Sequence, residues 1–181
     1  MKNRAVFLDR DGVIVEEVDY LRRPSQLKLI PGAAEAITRL HKAGFKTIVV
    51  SNQSGIARGY FTRGDLRRIH AKLRAELKKK GARVDAIYFC PHHPEAGERV
   101  VCDCRKPKIG MLLEAKKRFK IDLKKSFLVG DSSADMGAAR SAGVFGILVR
   151  TGYGGKDGKH KAKPQARAKD LGAAADWILA R

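Results

Sequence analysis

Short apolar runs alternate with amphipathic stretches along this chain. Five runs, rich in β-branched and aromatic residues, predict strands at residues 5–8, 47–50, 86–89, 127–129 and 145–149. Since these runs are apolar on both faces, we expect helices to cover both sides of the sheet they form. The alternation predicts an α/β fold with a doubly wound, Rossmann-like parallel sheet.

The amphipathic stretches predict helices between the strands. In one of them Leu66, Ile69, Leu73 and Leu77 recur at helical spacing, with Lys and Arg at most other positions. The predicted helices span residues 32–43, 63–80, 109–119, 133–142 and 171–180. In such folds ligands bind where the strands end, so the residues that follow each strand are the candidates for function.

Length and composition indicate one domain over residues 1–181, without room for a second large one. Residues 152–169 are rich in Gly, Lys and Ala and predict a mobile basic loop. No apolar run reaches the roughly 18 residues of a membrane span, and no signal peptide is recognisable. We therefore expect a soluble, cytoplasmic monomer with no membrane partner.

Acidic and hydroxyl residues follow three of the predicted strands. Asp9 and Asp11 come after the first, Ser51 after the second, and Asp131 and Asp135 after the fourth. Two carboxylates this close repel each other unless a cation lies between them, and Mg²⁺ binds through such oxygen ligands. Each motif alone also fits an ordinary solvated turn or helix cap. Together at one sheet edge, they favour a magnesium site that handles phosphate.

The cysteines form a second candidate site. Cys90, Cys102 and Cys104 are the only three in the chain, and their odd number argues against a disulfide framework. With His92 or His93 they provide four ligands in two close pairs, which is the set that a structural Zn²⁺ binds tetrahedrally. The alternative is three idle thiols.

Several of these segments together resemble a known family. The segments are residues 7–12 (FLDRDG), 51–59 (SNQSGIARG), 102–107 (CDCRKP) and 130–135 (GDSSAD). They resemble the ordered motifs of the haloacid dehalogenase superfamily, and most closely its histidinol-phosphatase-type branch. The resemblance implies a haloacid-dehalogenase-like fold with no large cap domain and with a small zinc-stapled loop insertion over residues 90–104. The Cys-x-His pattern of that branch favours His92 over His93.

The resemblance also implies a mechanism. Asp9 is the expected nucleophile, which forms an aspartyl-phosphate, and Asp11 is the expected general acid and base. Mg²⁺ is expected to bind the Asp9 carboxylate, the backbone carbonyl of Asp11, and Asp131. Asp135 either fixes this motif or touches the metal.

The remaining roles concern phosphate and substrate. Ser51 and Lys106 are expected to bind the phosphoryl oxygens, with Lys108 as the alternative to Lys106. Arg105 is expected to recognise the substrate. Further candidate substrate contacts are Glu17, Asp19, Tyr20, Asn52, Gln53 and Ser54. One departure stands out, since several members of the branch have Lys where this chain has Ser132.

The expected activity is a Mg²⁺-dependent phosphomonoesterase acting on a small phosphorylated sugar. The branch includes phosphatases that remove the 7-phosphate of a heptose 1,7-bisphosphate, a step towards nucleotide-activated heptose for lipopolysaccharide or other surface glycans. This is the expected substrate, because histidinol phosphatases of the branch are often fused to a second enzyme. Histidinol phosphate is the alternative substrate. A net charge of +19 also permits a polynucleotide 3′-phosphatase, but the basic residues are not interleaved with aromatic ones. A non-catalytic zinc module would leave all the strand-end acids without a role.

Overall fold

The computed structural model describes residues 2–97 and 101–181. Its six strands are β1 (Ala5–Leu8), β2 (Lys46–Asn52), β3 (Ala86–Cys90), β4 (Phe127–Gly130), β5 (Phe145–Val149) and β6 (Ala166–Ala168). They form one sheet in the order β3-β2-β1-β4-β5-β6, and every neighbouring pair is parallel. The predicted α/β class and the predicted parallel sheet are confirmed.

Five helices connect or follow the strands. They are α1 (Ala33–Lys42), α2 (Arg63–Lys79), α3 (Gly110–Phe119), α4 (Ser133–Ala142) and α5 (Leu171–Leu179). Each begins and ends within two residues of its predicted bounds. Within the described residues, no helix has both the length and the apolar character needed to cross a membrane.

The helices cover both faces of the sheet. Along β1, Val6 and Leu8 pack into a core that includes residues of α1, α2 and α5. Ala5 and Phe7 point the other way, into a core shared with α3 and α4. Successive side chains of a strand face opposite sides of the sheet. All four residues are fully buried because helices cover both sides. This double coverage explains why the strand sequences are apolar at every position.

Strand β6 lies within residues 152–169, where the sequence pattern predicts only a loop. Ala166–Ala168 pairs with β5 at the edge of the sheet, and Gln165 anchors it through its side-chain oxygen, which accepts from Gly146 N at 2.6 Å. A three-residue edge strand with an exposed Arg167 carries no apolar pattern. Hydrophobic periodicity therefore could not identify it.

The connections reverse direction between β1 and β4. The chain leaves β1 through α1 to reach β2 on one side, and it returns through α3 to β4 on the other. Such a switch point leaves a crevice at the carboxyl ends of the two strands. The residues that follow β1 and β4 lie in this crevice.

Candidate active site

Three carboxylates meet at the switch point. Asp9 follows β1, Asp131 follows β4, and Asp135 lies in the first turn of α4. One oxygen from each lies within 4.8 Å of the others, and Asp131 and Asp135 are fully buried. The cluster thus has the ligand atoms and spacing that a hard divalent cation takes.

Lys106 supplies the positive charge beside this cluster. Its Nζ lies 2.6 Å from Asp135 Oδ1 and 3.1 Å from Asp9 Oδ1, and it also donates to the carbonyl of Val50 at 2.7 Å. Burial opposes the charged form of this lysine, but the carboxylates of Asp135 and Asp9 outweigh burial and raise its pKa. Lys106 is therefore a cation at the site.

One lysine does not balance three carboxylates. Burial, followed by the charge of Asp135, raises the pKa of Asp9 well above its ordinary value, although Lys106 opposes the shift. The same two causes raise the pKa of Asp131 to about 7. Carboxyl groups with raised pKa values at one point indicate a missing positive charge. The residues present therefore fit a divalent cation.

The segment after β5 closes over Asp131. The Asp131 carboxylate accepts from the backbone N–H of Tyr153 at 2.7 Å, and the backbone carbonyl of Asp131 accepts from the N–H of Gly155 at 2.7 Å. Thr151 donates to the carbonyl of Gly12 at 2.6 Å. Gly12 has a φ of +76°, and a Cβ there would lie 2.2 Å from the Asp131 carboxylate. The close approach of these segments therefore requires glycine at position 12.

Asp11 is held by a hydrogen-bond network around the buried Arg10. Arg10, which is 1% exposed, binds it in a bidentate manner, with Nε 3.0 Å from Oδ1 and one terminal nitrogen 2.8 Å from Oδ2. Gln53 Nε2 donates to Asp11 Oδ2 at 2.9 Å and to Ser51 Oγ at 2.7 Å. Because Ser51 Oγ accepts from Gln53, its own proton is available for another acceptor. Arg10 also contacts Gln53 Oε1 at 3.0 Å and His70 Nε2 at 3.3 Å.

The two candidate lysines, Lys106 and Lys108, have different surroundings. Lys106 reaches the cluster, whereas Lys108 Nζ donates to the carbonyl of Cys102 at 2.7 Å and is half-exposed. Asn52 holds the backbone of Lys106 by two hydrogen bonds, one donated and one accepted, both at 3.0 Å. Arg105 donates to the carbonyl of His92 at 3.1 Å. Asn52 is thus engaged with protein, and its predicted substrate contact stays a prediction.

The other predicted substrate residues lie in the segments that follow β1 and β2. Glu17 accepts from the backbone N–H of Asp19 at 2.9 Å, and burial, followed by the charge of Asp11, raises the pKa of Glu17. Asp19 and Tyr20 have φ values of 44° and 72°, which is uncommon for residues other than glycine. Ser54 is half-buried on the turn that follows β2. Backbone strain of the kind seen at Asp19 and Tyr20 is frequent at ligand-binding loops.

The four predicted zinc ligands come together. Cys90 Sγ lies 3.7 Å from Cys102 Sγ and 3.7 Å from His92 Nδ1, and Cys104 Sγ lies 3.6 Å from His92 Nδ1. Ligand atoms of a tetrahedral zinc ion, at about 2.0–2.3 Å from the metal, lie roughly 3.4–3.8 Å apart. The donors and their spacing therefore fit zinc. His93 instead bonds Arg58 and the backbone of Glu95.

Two residues of the site were not assigned a role from the sequence. Arg10 lies inside the FLDRDG motif, but nothing in the sequence says that its side chain turns inward. His70 stands in the basic helix α2, 17 residues after Gln53, and only the fold brings it to Arg10. A lone arginine between two aspartates at the end of a buried strand is the one local signal that could have indicated an inward ion pair.

These features define an α/β protein whose acidic, lysine-containing crevice suits a divalent cation and an anionic group. The family model of haloacid dehalogenase-like hydrolases matches residues 6–84, and a second model, described as HAD-hydrolase-like, matches residues 103–174. The chain belongs to the haloacid dehalogenase-like hydrolases.

Named relatives are similar to this protein along nearly the whole chain. The D-glycero-D-manno-heptose-1,7-bisphosphate 7-phosphatase of Thermosynechococcus vestitus is 44% identical, over 98% of this chain and 96% of the relative. The D-glycero-beta-D-manno-heptose-1,7-bisphosphate 7-phosphatase of Escherichia coli K12 is 41% identical, over 97% and 87%. Among solved structures, D,D-heptose 1,7-bisphosphate phosphatase from B. bronchiseptica, in complex with magnesium and phosphate, superposes with a TM-score of 0.88. It is 38% identical and covers 98% of both chains.

Removing the buried lysine tests the charge balance of the site without an activity assay. Lys106→Met leaves Asp135 buried without its partner, so we expect the free energy of unfolding to fall by about 3–5 kcal/mol. The matched control Lys108→Met, at a half-exposed lysine, should change it by less than about 1 kcal/mol. Urea denaturation followed by circular dichroism measures both. Equal losses in the two variants would contradict a buried ion pair at Lys106.

Proposed function

We propose that this chain is a Mg²⁺-dependent phosphatase that removes the 7-phosphate of D-glycero-D-manno-heptose 1,7-bisphosphate. The observation that carries the proposal is the meeting of Asp9, Asp131 and Asp135 with the buried Lys106 at the switch point. The named activities of the relatives, which match the chain from end to end, support the heptose substrate.

In the proposed reaction Asp9 attacks the phosphorus and forms an aspartyl-phosphate. Asp11 gives a proton to the departing alkoxide of the sugar. It then takes a proton from the water that hydrolyses the intermediate, so that carboxylate and carboxylic acid are both restored. Arg10 and Gln53 hold the Asp11 carboxylate through three hydrogen bonds. Such fixation supports proton transfer at one defined position.

The phosphoryl oxygens are proposed to bind Ser51 and Lys106. The hydroxyl proton of Ser51 is available, and Lys106 brings its charge to within 3.1 Å of the nucleophile. Asp9 and Asp131, with the backbone carbonyl of Asp11, would hold Mg²⁺, which when bound offsets the repulsion between the nucleophile and a phosphate dianion. Both oxygens of Asp135 are engaged, one with Lys106 and one with Ser132. We therefore assign Asp135 to fixing Lys106.

The cysteine cluster is proposed to hold a structural Zn²⁺. Four protein ligands would fill a tetrahedral ion and leave no open position for chemistry. Cys102 and Cys104 stand just before Arg105 and Lys106, so a metal there would fix the loop that carries the active-site lysine. The Arg105 bond to the His92 carbonyl ties the proposed recognition residue to the same cluster.

The substrate proposal is tested by comparing two phosphate esters on the protein with Mg²⁺. We expect kcat/KM for the heptose bisphosphate to exceed that for histidinol phosphate by at least about 100-fold, and Asp9→Asn to lower kcat by about 10⁴-fold or more. Asp176→Asn, the same change at an exposed position, should leave turnover unchanged. A preference for histidinol phosphate would refute the substrate, and full turnover by Asp9→Asn would refute the mechanism.

Neighbouring histidines provide a matched test of the zinc proposal. His92→Ala should purify with well under one zinc per chain and unfold at a lower temperature than the wild type, because the metal stabilises a loop with little core of its own. His93→Ala, which removes the adjacent histidine outside the cluster, should retain about one zinc per chain. Inductively coupled plasma mass spectrometry of the purified proteins gives the metal content. Zinc missing from the wild type, or lost equally from both variants, would contradict the assignment.

Arg10 is proposed to position Asp11 rather than to touch the substrate. Arg10→Lys keeps the charge but loses the bidentate fork, so we expect kcat to fall about 10- to 100-fold while KM changes less than about twofold. Arg67→Lys, at an exposed position of α2, is the control and should match the wild type in both. Steady-state kinetics on the bisphosphate separate the two parameters. An increase in KM with kcat unchanged would show that Arg10 acts in binding instead.

A further inference from the structure

A second cleft lies outside the catalytic crevice. It has a volume of about 770 Å³ and opens between the start of α3, the outer side of α4 and residues 160–162. Pockets that bind small molecules commonly have volumes of about 300–1,000 Å³. None of the proposed catalytic or Mg²⁺-binding side chains lines it. Lys106 is adjacent in sequence, but its side chain extends away, to Asp9 and Asp135.

The polar lining of this cleft is mostly basic. Lys108, Arg140, His160 and Lys161 line it, against one acidic residue, Asp103, which lies near Lys108 Nζ at 3.7 Å. Within residues 2–97 and 101–181, the side chains of Arg140 and Lys161 form no ion pair and no hydrogen bond. Two cations, one on α4 and one in the segment before β6, thus face one cavity without a partner among these residues, which favours an anionic ligand.

Apart from the hydroxyl of Ser141, the rest of the lining is glycine or apolar. Pro107 and Ile109 form part of the wall, and Leu113 is 46% exposed. Ser141 and Asp103 could bond some hydroxyl groups of a sugar phosphate, but the others would lie against these apolar side chains without partners. A ligand with a flat apolar body and a charged end would instead cover the apolar surface and reach the cations.

We propose that this cleft binds a small organic polyphosphate with an apolar ring system, of the class of a nucleoside diphosphate. The phosphates lie against Arg140 and Lys161, and the base lies against Ile109 and Leu113. A nucleic acid fits less well, because the lining contains no aromatic residue except His160 on which successive bases could stack.

The probe is the α,β-methylene analogue of ADP. A CH₂ group joins its two phosphorus atoms in place of the bridging oxygen, so the protein cannot remove the terminal phosphorus by hydrolysis. Titration into the ¹⁵N-labelled full chain should show saturable shifts of the Gly110, Gly137 and Ala162 amides, which belong to the cleft. The Gly12 and Gly55 amides, beside the catalytic residues, should not move. Shifts confined to Gly12 and Gly55 would overturn the proposal, since the analogue would then occupy only the catalytic crevice.

Charge reversal distinguishes a site from a generally basic surface. Calorimetric titration of the Arg140→Glu/Lys161→Glu variant should give a Kd at least tenfold weaker than that of the wild type. The control Arg67→Glu/Lys117→Glu makes the same change in charge at exposed positions outside the cleft, and its Kd should stay within about threefold. Equal weakening in both variants would overturn the proposal. So would the lack of saturable binding, or tighter binding of a single-stranded oligonucleotide through Arg140 and Lys161.

Discussion

The catalytic crevice depends on how buried carboxylates at the ends of β1 and β4 are balanced by charge. Asp9, Asp131 and Asp135 lie at one point, and Lys106 is the cation that reaches two of them. A buried carboxylate is costly unless it is paired or its pKa rises. Both responses are present here, because Asp135 is paired while the pKa values of Asp9 and Asp131 are raised. The position of residue 106 is therefore the constraint that the surrounding chain must satisfy.

Lys106 reaches this position from a loop with little core of its own, since Val101 is 93% exposed. Three other contacts hold the loop. Asn52 binds the backbone of Lys106 on one side, and Pro107 packs so close to Gly137 that a Cβ there would lie 2.7 Å from the proline. The Cys and His cluster stands on the other side. The structural metal proposed for this cluster would take the part that hydrophobic packing plays elsewhere in the sheet.

Local sequence patterns predict the sheet and helices well because each element buries an apolar face that is visible within its own residues. Strand β6 escapes prediction because an edge strand of three residues buries too little. The strand-end acids are visible for a similar reason, since each follows a recognisable strand. The inward turn of Arg10 and its contact with His70 are not, because these partners are separated by 60 residues and meet only after the sheet has formed. Likewise, only the fold shows that Lys106 reaches the carboxylates and that Lys108 does not.

The charge of the whole chain and the charge of its crevice have opposite signs. The chain carries +19, whereas the crevice contains Asp9, Asp11, Asp131 and Asp135 against Arg10 and Lys106. With all six groups ionised, the deficit would equal the charge of one divalent cation. Because the proposed reaction begins with Asp11 protonated, a crevice with such an ion would carry one net positive charge when a phosphate dianion enters. The basic surface then acts over a longer range, where it raises the local concentration of anions without altering this balance. The surface charge therefore acts on the approach of the anion, and the crevice charge acts on the chemistry that follows.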